Sequence, residues 1–307
     1  MNQAGRYQIL EELGRGATGV VYRATDPAIG RTVALKSIRL SNVGDAEEQR
    51  LVRDRLLSEA QSAGILSHPN IVTIYDVFES GELAYVSMEL VDGGVSLEQL
   101  LRDGALPGRE KILRFLRQIA EALDYAHRKG IVHRDIRPAN IIVSRQAGVE
   151  QVAKIAGFGI AAFLSSEATH NGAVIGTPSY IAPEQIQGLT IGAKSDQFSL
   201  AVVVYEILCG VKPFAAENLQ ALLYSICKQN PKPVEEANPL LNETVGMVMA
   251  RALAKEPEER FPSCCDFVAA LSFALRESPE WKPVAAVAVA EAKSPPMEDI
   301  APVVAIE

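Results

Sequence analysis

The sequence predicts an α+β chain in two unequal parts: a small β-rich first part with one main helix, and a larger, mainly helical second part. Three observations carry this. Up to about Leu90, short runs of β-branched and aromatic residues alternate with turn residues. Beyond about Ser96, apolar residues recur at helical spacing. From about Ser278 the composition changes again, to Pro, Ala, Val and Glu. The chain therefore divides into residues 1–92, 93–277 and a tail at 278–307 expected to be disordered.

The first part reads as strands over Tyr7–Leu13, Val20–Thr25, Thr32–Ile38, Val72–Phe78 and Ala84–Leu90. Between the third and fourth, Ala46–Leu66 is rich in helix formers. Its Val52, Leu56, Ala60 and Ala63 fall on one helical face. Val91–Val95, with Gly93 and Gly94, reads as a hinge. In the second part, Ile112, Phe115, Leu116, Ile119 and Leu123 form one stripe of a helix over Arg109–Arg128. Ser195–Cys209 is apolar almost all round, the pattern of a buried central helix. Further helices are read at Leu219–Lys228, Val245–Lys255 and Cys265–Leu275. The tail carries Pro279, Pro283, Pro295, Pro296 and Pro302.

Composition excludes several classes. The chain has 307 residues and a formal net charge of −8, so a basic nucleic-acid binder is disfavoured. With 48% hydrophobic residues it can bury a large core. Cys209, Cys227, Cys264 and Cys265 are too few and too irregular for a disulfide framework or a zinc site, and four free thiols point to the cytoplasm. Met1–Arg6 contains no apolar stretch of the kind that opens a signal peptide, and no apolar run approaches the roughly 20 residues of a membrane span.

Gly14-Arg15-Gly16-Ala17-Thr18-Gly19 fits G-x-G-x-x-G. A dinucleotide fold needs such glycines to open a helix. Here a strand follows, so the loop is either a flexible hairpin or a cover for phosphates. Four further motifs narrow the choice: Val33-Ala34-Leu35-Lys36; His133-Arg134-Asp135-Ile136-Arg137-Pro138-Ala139-Asn140; Ala182-Pro183-Glu184; and Ser195-Asp196 with Pro213-Phe214 and Arg260. In this order they resemble the protein kinase family over about Tyr7–Leu275. Gly176–Gln185 is particularly similar to the bacterial, eukaryotic-like Ser/Thr protein kinases.

The resemblance implies a bilobal kinase-like fold, ATP with Mg²⁺ (Mn²⁺ as an alternative metal), and transfer of the γ-phosphate to Ser/Thr hydroxyls of a protein substrate. Lys36 would meet the α/β-phosphates and Glu59 would hold it. Asp135 would be the catalytic base, Arg137 a cation near the γ-phosphate where the family usually has Lys, and Asn140 a metal ligand. Gly14, Gly16, Gly19, Val21 and Ala34 would line the nucleotide site. Met88 would border the adenine, with Glu89 and Val91 backbone groups on the base; Met88 and Val91 read equally as core residues. His133 would pack structurally, Asp196 would brace the catalytic loop, and Glu184–Arg260 would form a buried ion pair.

One departure stands out. The family's Asp-Phe-Gly appears as Gly157-Phe158-Gly159, and no aspartate occurs between Asp135 and Asp196. Metal binding is then expected to weaken, which leaves two readings: an impaired kinase, or a pseudokinase acting as a nucleotide-binding or scaffold signalling module. Ser165, Ser166 and Thr169 are candidate phosphoacceptors or plain polar loop residues. Thr177 is expected to contact the catalytic loop. A protein partner is implied, and a dimer is left open.

Overall fold

The structure is a computed structural model that describes residues 3–16, 19–39, 58, 62–81, 83–145, 150–158 and 178–285. Strand β1 (Gln3–Ala4), β2 (Tyr7–Gly16), β3 (Gly19–Asp26), β4 (Arg31–Arg39), β5 (Ile74–Ser80) and β6 (Leu83–Glu89) form one antiparallel sheet, in the order β1-β2-β3-β4-β6-β5. Alternation along β4 sorts its side chains onto two faces. Val33 and Leu35 join Ala4, Tyr7, Ala24 and Tyr85 in one apolar cluster. Ala34 and Ile38 join Val72, Ala84, Val86 and Met88 in another. Lys36 has the same parity as Ala34 and Ile38, so it stands on the second face, opposite Val21 on β3 and Val86 on β6.

The expected helix at Ala46–Leu66 falls mostly outside the described residues, Glu59 included. Where description resumes, His68-Pro69-Asn70-Ile71-Val72 joins the two lobes. Val72 N donates to Ile155 O at 2.8 Å, Ile155 N donates to Asn70 O at 2.8 Å, and the Asn70 Nδ2 donates to Ala153 O at 2.8 Å. A second, three-stranded sheet follows the hinge: β7 (Val95–Ser96), β8 (Ile141–Val143) and β9 (Ala153–Ile155). Its strands, like β1, are too short to carry a two-residue period, and sequence reasoning passed over them.

Helices α1 (Leu97–Arg102), α2 (Arg109–Arg128), α3 (Ala193–Cys209), α4 (Leu219–Lys228), α5 (Glu243–Ala252) and α6 (Cys264–Ala274) build the second lobe. Ser96 caps α1, Asn218 caps α4, Asn242 caps α5 and Ser263 caps α6, each side chain accepting from an N–H of the first turn. Every α3 residue from Ser195 to Cys209 is buried, as its all-round apolar pattern predicts.

The boundary expected at residue 278 needs correction. Ser278 and Trp281 are buried. The Trp281 Nε1 donates to Leu208 O at 3.2 Å, and Val284 N donates to Ile207 O at 3.0 Å. Composition suggested a loose tail, but one large indole and the Ile207 and Leu208 carbonyls at the end of α3 hold residues 278–285 on the helical lobe. The later residues, 286–307, are outside the described set.

Candidate active site

The site is organised from Asp196, fully buried near the start of α3. Its Oδ2 accepts from His133 N at 2.8 Å and pairs with the His127 Nε2 at 2.7 Å; its Oδ1 accepts from Arg134 N at 2.8 Å. One carboxylate thus holds two consecutive amides of the segment that carries Asp135. Arg134 sits at φ +69°, a left-handed conformation that a non-glycine residue adopts at a cost, and this bracing holds it there.

His133 has no role to spare for proton transfer. Its Nδ1 accepts from Asp135 N at 3.2 Å, and its Nε2 then donates to Ala156 O at 3.1 Å. The ring stands edge-on to Phe158 at 4.5 Å between centroids. Burial lowers its pKa, so the imidazole is neutral and structural, as the sequence reading held.

Residues Pro138–Asn140 form a 3₁₀ turn that returns Asn140 to Asp135. The Asn140 Nδ2 donates both to Asp135 O and to the Asp135 Oδ2, each at 2.8 Å. Asn140 O accepts from Ala156 N at 2.8 Å, which brings Gly157 alongside. Gly157 has φ +93°, and a Cβ there would lie 3.7 Å from the Asn140 Cγ and Oδ1. Lys36 approaches from the sheet. Burial pushes its pKa down, the charge of Asp135 opposes this, and that of Arg137 adds to it. The fold therefore brings Lys36, Asp135, Arg137, Asn140 and Gly157 together from three separate stretches of chain.

The glycine turn spans Gly16 and Gly19, which face each other across β2 and β3. At Gly19, φ is +140° and a Cβ would fall 1.8 Å from Ser37 O, so no other residue fits. A Cβ at Gly14 or Gly16 would meet no protein atom within 4 Å. Ala34 pairs with Met88 across β4 and β6, and both are buried in the cluster that Val21, Val91 and Ala156 pack against. At the hinge, Val91 O accepts from Gly94 N at 2.9 Å. Ser165, Ser166, Thr169 and Thr177 lie outside the described residues.

Three contacts escaped sequence reasoning. The Glu89 carboxylate receives the Lys154 Nζ at 2.6 Å and Thr73 N at 3.3 Å, tying the hinge to β9. Arg137 Nη2 lies 3.6 Å from the Glu98 Oε1 on α1, so its fork is held from behind. The Tyr180 hydroxyl donates to the buried Glu206 Oε2 at 2.6 Å. The residues in each pair are 16 to 65 apart in the chain, and no local pattern signals them. The Glu184–Arg260 pair is present and buried: Arg260 Nη1 and Nη2 donate to the Glu184 Oε1 and Oε2 at 2.8 and 2.9 Å. The Ser195 Oγ and the carbonyls of Lys194, Ala254 and Lys255 complete the set. Burial would raise the Glu184 pKa, but the Arg260 hydrogen bonds outweigh it and keep it low.

The chain is similar to known proteins in sequence and in fold. The family model described as protein kinase domain matches residues 7–270. The serine/threonine-protein kinase PrkC of Bacillus subtilis is 36% identical over 273 residues, which are 89% of this chain and 41% of that protein. The serine/threonine-protein kinase PknB of Mycobacterium leprae is 35% identical, covering 87% of this chain and 42% of that protein. This chain thus spans about two-fifths of the length of these two curated relatives. Among solved structures, the Mycobacterium tuberculosis PknI kinase domain aligns over 89% of this chain and 98% of its own, with TM-score 0.71 and 30% identity. Rad53 in complex with AMP-PNP aligns over 87% of this chain and 65% of its own, with TM-score 0.69 and 26% identity.

Proposed function

The chain belongs to the protein kinase domain family, and we propose from this that it is a serine/threonine protein kinase whose activity is impaired because Gly157 stands where the family's metal-binding Asp would be. The observation that carries the reading is the convergence of Lys36, Asp135 and Asn140 beside Gly157. The relatives' kinase names support the Ser/Thr class.

The residues divide the work of phosphoryl transfer as follows. Lys36 offers a cation to the nucleotide's phosphates from the sheet face it shares with Ala34 and Met88. Asp135 faces the acceptor hydroxyl, with its Oδ2 fixed by Asn140 and its other oxygen available for the proton. As the hydroxyl oxygen bonds to the γ-phosphorus, the β–γ bridge breaks, the hydroxyl proton passes to Asp135 and ADP leaves. Arg137 is held by Glu98 close to Asp135 and supplies a second positive charge to the transferring group.

The donor set suits a weakly held metal. Magnesium takes one or two carboxylates plus phosphate oxygens. Here one carboxylate, Asp135, and one neutral amide oxygen, the Asn140 Oδ1, are available, since the Asn140 nitrogen is committed to Asp135. When bound, the metal supplies charge neutralisation between the β- and γ-phosphates. Gly157 also favours a second reading, a pseudokinase that signals by binding.

A radiolabelled ATP transfer assay in Mg²⁺ and Mn²⁺ separates the two. Transfer above that of an Asp135→Asn control supports the kinase. Transfer equal to that control, together with ATP binding, supports the pseudokinase.

A further inference from the structure

Behind the catalytic loop, the end of α2, the start of α3 (Ala193, Lys194 and Gln197) and the start of α6 line a cleft of about 530 Å³. Three chemically different ligands meet there: the Asp124 carboxylate, the His127 imidazole and the Cys264 thiol. Their donor atoms all lie within 4.8 Å of one another. Asp124 and His127 share one face of α2, being three residues apart. Cys264 is the first residue of α6. We propose that Asp124, His127 and Cys264 form a binding site for a thiophilic divalent ion of the zinc type.

Four features support a ligand site rather than a packed polar cluster. The Asp124 oxygens are aimed by backbone: Oδ1 accepts from Cys264 N at 3.0 Å and Oδ2 from Cys265 N at 2.9 Å. The His127 Nδ1 faces the Asp124 Oδ1 at 3.9 Å, too long for a hydrogen bond and open to an ion between them. The opposite nitrogen, Nε2, is already fixed on the Asp196 Oδ2 at 2.7 Å. A carboxylate behind a ligating histidine is the arrangement that orients such rings in metal sites. Finally, Cys265 lines the same cleft and places a second thiol next to the first.

The donor types select the ion. Sulfur, imidazole nitrogen and one carboxylate oxygen in a compact group suit tetrahedral zinc, whereas magnesium or calcium would want oxygens alone. Tetrahedral zinc, with ligand bonds of roughly 2.0–2.3 Å, sets donor atoms about 3–4 Å apart. Ion binding would draw the donor atoms, now within 4.8 Å of one another, closer together. On binding, the Cys264 thiol and the imidazole Nδ1 release their protons to solvent, and the ion takes the proton's place beside Asp124. The irregular cysteine spacing argued against zinc because it counts only cysteines; the tertiary fold adds the aspartate and histidine from α2. Through His127 the ion would touch the same Asp196 that holds His133 and Arg134.

The test is a Co²⁺ titration of the metal-stripped chain, followed by displacement with Zn²⁺. One equivalent should bring a thiolate-to-cobalt charge-transfer band and tetrahedral visible bands, with Zn²⁺ displacing both and raising the melting temperature. Cys264→Ala should weaken Co²⁺ binding at least tenfold, and Cys209→Ala should leave it unchanged. Absence of the charge-transfer band, or its persistence in Cys264→Ala, overturns the proposal. X-ray absorption on the zinc-loaded parent chain needs no variant. A mixed sulfur and nitrogen/oxygen shell supports the site, and a shell of oxygen alone overturns it.

Discussion

Gly157→Asp is the substitution that tests the active-site reading most directly. The side chain has room, since a Cβ at Gly157 would stand 3.7 Å from the Asn140 Cγ and Oδ1, an ordinary contact. The backbone resists, because φ is +93° and an L-residue in left-handed space costs roughly 1–2 kcal/mol. Aspartate is among the residues that tolerate this region best. Against that cost stands a second carboxylate in the metal's ligand set, worth several kcal/mol of transition-state stabilisation. A net gain of about 3 kcal/mol corresponds to roughly a hundredfold in rate, at tenfold per 1.36 kcal/mol. Initial rates of radiolabelled phosphate transfer in saturating Mg²⁺ measure it, and a thermal melt on the same samples should show a loss of a few degrees. A folded Gly157→Asp protein whose rate equals the parent's would refute the reasoning. Lys36, Asp135 and Asn140 would then not be a site lacking only its metal ligand.

Three further outcomes follow from the geometry. Glu184→Gln leaves the Arg260 guanidinium buried without its counter-charge, and should cost about 3–5 kcal/mol in urea unfolding; a loss under 1 kcal/mol would contradict the burial. Burial works against the His127 cation, but the Asp124 and Asp196 carboxylates prevail and lift its pKa to about 9. A raised folded pKa stabilises fully below the ordinary value of 6.5 and is lost as pH rises through 9, at most about 3 kcal/mol. Lys255 acts oppositely: burial pushes its pKa down to about 8, and stability recovers as pH rises from there towards 10.5. From these two groups urea midpoints should therefore fall between pH 6.5 and 8 and level off between 8 and 9, where the His127 loss and the Lys255 recovery oppose each other; a rise across the first interval would contradict the His127 assignment. Trp281→Ala should cost about 3–5 kcal/mol, because it empties a fully buried indole site and removes one of the two hydrogen bonds to Leu208 O. Since Trp281 is the single tryptophan, its fluorescence in the parent chain reports the unfolding directly, and a chain ending at residue 277 should lose similar stability.

The legible parts of this protein are those whose signal is local. The stripe of Ile112, Phe115, Leu116 and Ile119 marked α2 to the residue, because a twenty-residue helix repeats its apolar face several times. The run Thr32–Ile38 was legible as a strand from its β-branched residues, and the observed clusters then set Lys36 on the face opposite Val33 and Leu35. The HRD-like and APE-like motifs pointed to Asp135, Asn140 and Glu184 through the family resemblance, because each motif is a short contiguous string. Contacts between residues far apart in the chain were legible only where the family resemblance supplied them, as for Glu184–Arg260 and Asp196. The two- and three-residue strands β7, β8 and β9 carry no period. The Glu89–Lys154 bond joins residues 65 apart, and the contact of Asp124 with the start of α6 joins residues 140 apart. The tail composition spoke for disorder, while the indole of Trp281 found a buried place against α3.

By itself, the sequence determined the two lobes, the order of their main elements and the absence of an aspartate at Gly157. Only the tertiary structure decided that Asn140 spends its amide nitrogen on Asp135, that Gly157 holds a left-handed backbone beside it, and that Asp124, His127 and Cys264 share one cleft. The physical reason is the range of the forces involved. Backbone periodicity and turn chemistry act over a few residues and leave their mark in composition. Hydrogen bonds and burial act between whichever atoms the folded chain brings together, and nothing local records them.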